Sequence, residues 1–483
     1  MGNVVGTCGE DRPSRHWSVE EMAGAVLWDG RVRSTLSTIC ERLANQPATS
    51  LSRALGPQRK SASRILHHPK VSAADLLRGH ILLTEARSEE YCEHARACGD
   101  KDPFILIASD TTVCNFSTHH ALDGVGPISD NDHDLGVFVH SALAMTRDGV
   151  PLGLLSQRIW ARDSKEGHVS ERRRTREYID KESYKWLQAE RDVERTLSVR
   201  ALLIQDREAD VYDFFSAPRS TNMELLIRAG QPRRVDVISK QNETVDTNDT
   251  PETLLEAAAK GTVVAHKRVS IYPHPNHRSR EAHLTIRLLR VCVCAPRHSD
   301  QPASELLPSV PIWVVRASEE NPPPDVEKPV SWTLLTTLPE VDHKDALQLV
   351  HYYALRWRIE RFHYTLKSGC NVEQMQCDTF EAVQKAMSLY SIVSWRLMWM
   401  LYLVREDPNA PADLIVSPTE AEVLQLHTGK NVNTAYDAVL AIAKVGGFVS
   451  VPSAPLPGVK SMWLGMRKFS DLVQGYMLAS NRH

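Results

Sequence analysis

The chain has no C-x-x-C pair. Its nine cysteines are scattered, an odd number, and only Cys292 and Cys294 lie close, as C-x-C in an alternating run that puts both on one sheet face. That excludes the usual structural zinc pattern and fits reduced thiols in a cytoplasm. Aromatics are sparse at 6%, and basic residues are in no excess: 57 Lys and Arg stand against 60 Asp and Glu, a formal net charge of -3. A uniformly basic nucleic-acid coat is therefore excluded, and any phosphate contact has to come from a local patch. The opening MGNVVGTCGED has no apolar run, so no signal peptide is expected, and Gly6 breaks the myristoylation pattern. The one long apolar stretch, Ala386 to Val404, is interrupted by Arg396, Ser388, Ser391 and Ser394. It reads as a buried core helix, and no membrane contact is expected.

What is present is enough chain, 483 residues, for two to four domains and at least one large core. Residues 1–70 hold ten Lys and Arg against six Asp and Glu, a local +4. Residues 18–98 read as helices, with Val32, Leu36, Ile39 and Leu43 at helical spacing. Within them SLSRALGPQRKSASRILHHPKVS (50–72) mixes Arg, Lys, Ser and His with no acid. It can face phosphates, or it can be a solvated helical face.

From Pro103 the pattern turns to strands: FILIAS (104–109) ending at Asp110, VFVHSALAM (137–145) and PLGLLSQRIW (151–160), an antiparallel meander. A charged helical region (164–197) includes Arg172, Arg173, Arg174 and Arg176. ALLIQ (201–205) then ends at Asp206, followed by a helix at 209–217 and a strand at 224–228. Residues 229–330 look like an insertion of alternating strands, after which SWTLLTT (331–337) resumes the core pattern. Two long helices, about 343–367 and 379–404, and a small helical tail complete the chain.

Two apolar strands that each deliver an Asp at the C-terminal end are suited to binding divalent ions, since strand ends hold ligands rigidly. Asp after a strand is also a common turn residue, so neither one carries the argument alone. The helix 343–367 adds more. With Tyr353 at zero and about 100° per residue, Arg356 lies near -60°, Glu360 near -20° and Lys367 near -40°. Leu355, Ile359, Phe362 and Leu366 fall on the opposite side, near 180–240°. One face is apolar; the other is a carboxylate flanked by phenol, guanidinium and ammonium. Glu360 can ligate a metal, while Arg356 and Lys367 can hold phosphates.

Tyr353, Arg356, Glu360 and Lys367 match Y-(2)-R-(3)-E-(6)-K, and on this the chain resembles a bacterial insertion-sequence family of DDE transposases. ALRWRIERFH around the signature, DREAD (206–210) and SDTT (109–112) are similar in the same order, with VHSAL, SWTLLT and GGF as weaker matches. The likeness is greatest to the family's hairpin-forming kanamycin-transposon branch and runs over almost the whole chain. It implies an α/β fold: an RNase H-like catalytic core (76–405) with a β-strand insertion at about 229–330. An N-terminal helical DNA-binding domain (1–75) and a C-terminal helical dimerisation domain (406–483) would flank it.

The resemblance further implies that Asp110, Asp206 and Glu360 are catalytic and bind two Mg2+, with Mn2+ able to substitute. It implies double-stranded DNA with inverted terminal repeats as partner, target DNA as second substrate, a homodimer in the synaptic complex, and a cytoplasmic, nucleoid-associated location. Trp332, 28 residues before Glu360, would stack on a flipped base during hairpin formation. Arg228, 22 residues after Asp206, would contact DNA with Tyr353, Arg356 and Lys367. NVEQMQCDTF, after the signature, lacks the basic residues of that branch. A DNA-binding protein without catalysis and a nuclease without strand transfer are the rival readings; three retained carboxylates oppose the first, the signature stripe and Trp332 the second.

Overall fold

The computed structural model describes residues 16–129, 131, 133–162, 184–238, 252–271, 280–296, 308–324, 326–451 and 456–480. The run containing Arg172, Arg173, Arg174 and Arg176 lies outside the described residues.

Alternating and continuous apolar runs build one mixed sheet of eleven strands. These are β1 (Ile105–Asn115), β2 (Gly126–Pro127), β3 (Leu135–Met145), β4 (Pro151–Trp160), β5 (Ala201–Gln205), β6 (Met223–Arg228), β7 (Val235–Val237), β8 (Thr262–Ile271), β9 (Arg280–Val293), β10 (Val310–Ser318) and β11 (Ser331–Thr336). β1, β3 and β4 form the antiparallel meander, with β3 in the middle. β5 joins β1 in parallel and β6 joins β5 in parallel. β11 pairs antiparallel with β6, and β10, β9, β8 and β7 extend the sheet from there. The 229–330 segment thus adds strands to the core sheet itself.

Both faces of the sheet are covered. Leu106, Ala108, Leu202, Ile204, Leu226 and Leu334 point to one side, Ile105, Ile107, Leu203, Leu225, Ile227 and Leu335 to the other. This is the period of two expected of strands buried on both faces. On the second side Trp186, Phe214 and Phe215 fill the core. On the first lie the N-terminal helices, the helix Phe380–Glu406 and the C-terminal helices.

Phe380–Glu406 is long and apolar enough to cross a membrane by length and composition, but that apolar window is entirely buried inside the protein. It is the central helix of the larger core. N-terminal Leu36, Ile39 and Leu66 line one cavity wall with its Ala386 and Leu389. Its Lys385 Nζ donates to the backbone oxygens of Leu66 and His68 at 2.9 and 3.0 Å. The N-terminal helices therefore share their core with the rest of the chain.

Three sequence expectations need correction here. Asp110 does not end its strand: β1 runs five residues further, to Asn115, because β3 continues to pair with it. The expected helix 343–367 is interrupted. It begins at an Asp342–Asp345 capping box, runs His343–Leu355, turns at Arg356, resumes over Trp357–Tyr364 and ends in a π-turn, Thr365–Gly369. In place of a single helix over 209–217 there is a 3-10 turn, Arg207–Ala209, and the short helix Tyr212–Ser216.

The helix Ala73–Ala97 crosses β4 at close range. Gly153 on β4 has φ +149°, and a Cβ there would land on the Thr84 hydroxyl. Gly153→Ala should therefore destabilise the protein by about 1–3 kcal/mol, through overpacking and an unfavourable backbone angle. Thermal or urea unfolding measures this; an unchanged midpoint would mean the helix can shift freely.

Candidate active site

Strand registers bring the sequence-predicted residues together. In the β1–β5 pairing each residue of β5 sits 96 positions after its partner, as in Ala108↔Ile204. Asp110 lies two residues past the last pair, and Asp206 lies just past the end of β5. In the β5–β6 pairing the offset is 22, as in Gln205↔Ile227. The next residue on each side of that last pair is Asp206 and Arg228 respectively. Arg228 in turn faces Leu334 of β11, two residues from Trp332. Neighbouring strands lie roughly 5 Å apart. Asp110, Asp206, Arg228 and Trp332 all have even numbers, the parity of the face on which the signature helix packs.

On that helix Ile359, Phe362 and Leu366 are fully buried and Leu355 nearly so, as the apolar side of the stripe requires. Glu360 and Lys367 line a cleft of about 460 Å³ together with Asp110, Thr111, Thr112, His363, Tyr364 and Ser368. Arg356 forms an ion pair with Glu360, and its other terminal nitrogen lies 3.7 Å from Asp110 Oδ2. It thus bridges two of the three carboxylates.

Tyr353 departs from the expected polar stripe, since it is only 6% exposed. Its ring meets Trp332 edge-on at 5.2 Å, and burial raises its phenol pKa against the pull of Arg356 and Arg228. Arg228 donates to the Ser331 carbonyl at 3.2 Å. Lys367, in the π-turn, donates to the Val113 carbonyl at 2.6 Å and pairs with Glu373 at 3.2 Å. Asp206 accepts from the Glu208 amide at 2.9 Å, capping the 3-10 turn. The second Asp of DREAD has another fate: Asp210 is buried, pairs with Arg233 and receives the Gly230 and Gln231 amides.

The electrostatics of the cleft are unbalanced. Burial pushes the Asp110 carboxyl up to about 7; Arg356 opposes this, while Asp206 and Glu360 add to it. Burial also raises Glu360, against the pull of Arg356. His363 is held down to about 3, first by burial and then by Lys367 and Arg356, so it is neutral. Its Nε2 is buried without a hydrogen-bond partner, as is Nη1 of Arg356.

Among the described residues no three His, Cys, Asp or Glu side chains are gathered closely enough to hold a metal ion as they stand. Arg356 lies between Asp110 and Glu360. The donor set nevertheless suits a hard divalent cation: all oxygen, partly buried, and short of positive charge. His363, Tyr364 and the Thr111–Thr112 pair were not identified as site residues from the sequence. His363 and Tyr364 had a signal, each about one turn after Glu360 on the same helix.

A carboxyl whose folded pKa exceeds its unfolded value supports the fold below the unfolded value, and that support is lost as pH rises through the folded one. For Asp110 that window runs from its ordinary 3.8 to about 7. Asp110→Asn, neutral at every pH, should therefore melt above wild type at pH 8 without divalent metal, by at most about 4 kcal/mol of stability. The gap should shrink toward pH 5. An Asn variant less stable than wild type at pH 8 would contradict the charge imbalance.

Comparison with known proteins adds a partial family match. Residues 170–396 match the family model of the transposase DDE domain. That span is a little under half of the chain; it contains Asp206, Arg228, Trp332, Tyr353, Arg356, Glu360 and Lys367 and begins beyond Asp110. Among solved structures, the chain is similar to a cryo-EM structure of the piggyBac transposase synaptic complex with hairpin DNA. The identity is 9%, the match covers 95% of this chain and 70% of that one, and the TM-score of 0.32 is too low to carry an argument. The family match to the transposase DDE domain supports a transposase.

Proposed function

We propose that the protein is a cut-and-paste DNA transposase. On this reading it binds the inverted terminal repeats of a mobile element, cleaves the element ends by metal-dependent phosphoryl transfer, and joins them to target DNA. The observation that supports it is that Asp110 and Glu360 line one cleft, where burial raises both carboxyls and Asp206 adds to each rise. The DDE-domain match over two of the three supports the same reading. The antiparallel meander continued by two parallel strands suits an RNase H-like core.

Asp110, Asp206 and Glu360 are the residues that would hold two Mg2+, or Mn2+ in their place. When bound, such ions supply activation of a water for attack on the end phosphate and stabilisation of the leaving 3′ oxygen. The chain's own residues do the rest. Arg356 and Lys367 lie beside Glu360 as grips for phosphates near the scissile bond. Arg356 has to release Glu360 to serve there. Trp332 presents an aromatic face next to Tyr353 for a base flipped out of the stack, with the hairpin as intermediate.

The N-terminal helices, with Arg53, Arg59, Lys60, Arg64 and Lys70 among them, are assigned to the terminal repeats. The last helix buries Met462, Trp463 and Phe469 within its own chain, but leaves Leu472, Met477 and Leu478 exposed. Those three are assigned to the second subunit of a synaptic homodimer. The location assigned is the bacterial cytoplasm, on the nucleoid.

The test is an assay on end-labelled DNA carrying the inverted repeats that flank the gene. Asp110→Asn, Asp206→Asn and Glu360→Gln should each abolish cleavage in Mg2+ while retaining binding on a native gel, since amides do not balance a divalent charge. Near-normal cutting by any one would remove that residue from the site.

Trp332→Ala should still nick the 3′ end but form hairpin about 10–100 times more slowly, the equivalent of one base–aromatic stack of roughly 1–3 kcal/mol. Equal loss of both steps would make Trp332 a packing residue for Tyr353.

A further inference from the structure

His140 lies on β3, directly across from Thr111 of β1, and is 1% exposed. Its Nε2 is 2.8 Å from the Ser109 hydroxyl and its Nδ1 is 2.9 Å from the Thr111 hydroxyl. These are the residues on either side of Asp110. Because strand side chains alternate, both hydroxyls lie on the face opposite the Asp110 carboxylate. One imidazole therefore grips the strand from behind the carboxylate. The ring is itself held edge-on by Trp186, at 4.8 Å and 90°. Burial, with Lys185, His363 and Arg158 adding to it, keeps the ring neutral. A neutral imidazole has one donor and one acceptor nitrogen, which two hydroxyls satisfy completely.

The contact continues to the carboxylate. The Thr111 amide donates to Asp110 Oδ1 at 2.9 Å. It is available because β5 stops pairing with β1 at Ala108, so past that point β1 has no ladder on that side. The strand thus loses sheet support where its functional side chain sits. A ligand carboxylate has to be held within about 0.5 Å of its working position. In this protein two side-chain hydrogen bonds stand in for the missing strand.

We propose that His140 is a positioning residue for Asp110: through the hydroxyls of Ser109 and Thr111 it fixes the strand, and through the Thr111 amide it aims the carboxylate toward a divalent cation. This rests on the reading of Asp110 as a metal ligand. It assigns a role to a side chain outside the carboxylate set and on the other face of the sheet.

The experiment is titration of the full-length, DNA-free protein with Mn2+, read by calorimetry, with melting temperature recorded for every variant. His140→Ala and Thr111→Val should each raise the Mn2+ dissociation constant about 10–100-fold, as loss of a group orienting a metal ligand does. Combined, they should lose less than the product of the two, because both break one chain of contacts. Thr111→Ser, which keeps the hydroxyl, should bind close to wild type. If His140→Ala fails to fold, the Thr111→Val and Thr111→Ser pair decides. Wild-type affinity in Thr111→Val, beside weakened binding in Asp110→Asn, overturns the role of His140 and leaves the metal site standing. Undiminished Mn2+ binding by Asp110→Asn, or none by wild type, overturns the metal reading and this proposal with it.

Discussion

Asp110 and Glu360 line one partly buried cleft, with Arg356 between them and Asp206 near enough to raise both carboxyls, and most of the site follows from that imbalance. Lys367 lines the same cleft, but it is paired with Glu373, which leaves the carboxylates to Arg356. Asp110 accordingly has its carboxyl pushed up to about 7, burial being the main cause. Arg356 is stationed between Asp110 and Glu360 and relieves part of the repulsion. Its Nη1, the nitrogen that faces Asp110, makes no hydrogen bond, so the arrangement is a compromise. An unbalanced buried charge is costly to a fold, and sites of chemistry are where such costs accumulate.

The sheet makes the imbalance possible. Like charges would separate if each sat on its own mobile loop. Here parallel pairing fixes β1, β5 and β6 up to Ala108, Gln205 and Ile227, and Asp110, Asp206 and Arg228 follow within two residues of those points. The signature helix is pressed on the sheet by Ile359, Phe362 and Leu366. The π-turn at its end brings Lys367 to the Val113 carbonyl, joining helix to strand on the far side of Asp110. Behind the strand, His140 closes the frame.

Much of this was legible in the sequence because it depends on local period. β5 is ALLIQ as read, and the meander of β1, β3 and β4 follows from apolar alternation. The apolar and polar sides of the signature helix are likewise a matter of residue spacing. What was not legible depends on tertiary pairing. The length of β1 past Asp110 is set by β3, whose register no local signal reveals. The buried state of Tyr353 comes from Trp332 and Arg228 on two other strands. β10, β7 and the helix Leu254–Lys260 were not separated within the 229–330 segment, where Pro and charge interrupt each pattern. His140 was visible within VHSAL but carried no role until its two hydroxyl partners were seen.

The account stands on one claim: the three carboxylates form a cation site that Arg356 partly neutralises until a divalent ion and DNA arrive. A crystal structure of the protein with Mn2+ and a terminal-repeat end, phased for manganese by anomalous scattering, tests it directly. The account predicts manganese peaks bounded by Asp110, Asp206 and Glu360, with the Arg356–Glu360 ion pair broken and the guanidinium turned to a DNA phosphate. Manganese absent from that cleft, with Arg356 still paired to Glu360 beside bound DNA, would contradict it.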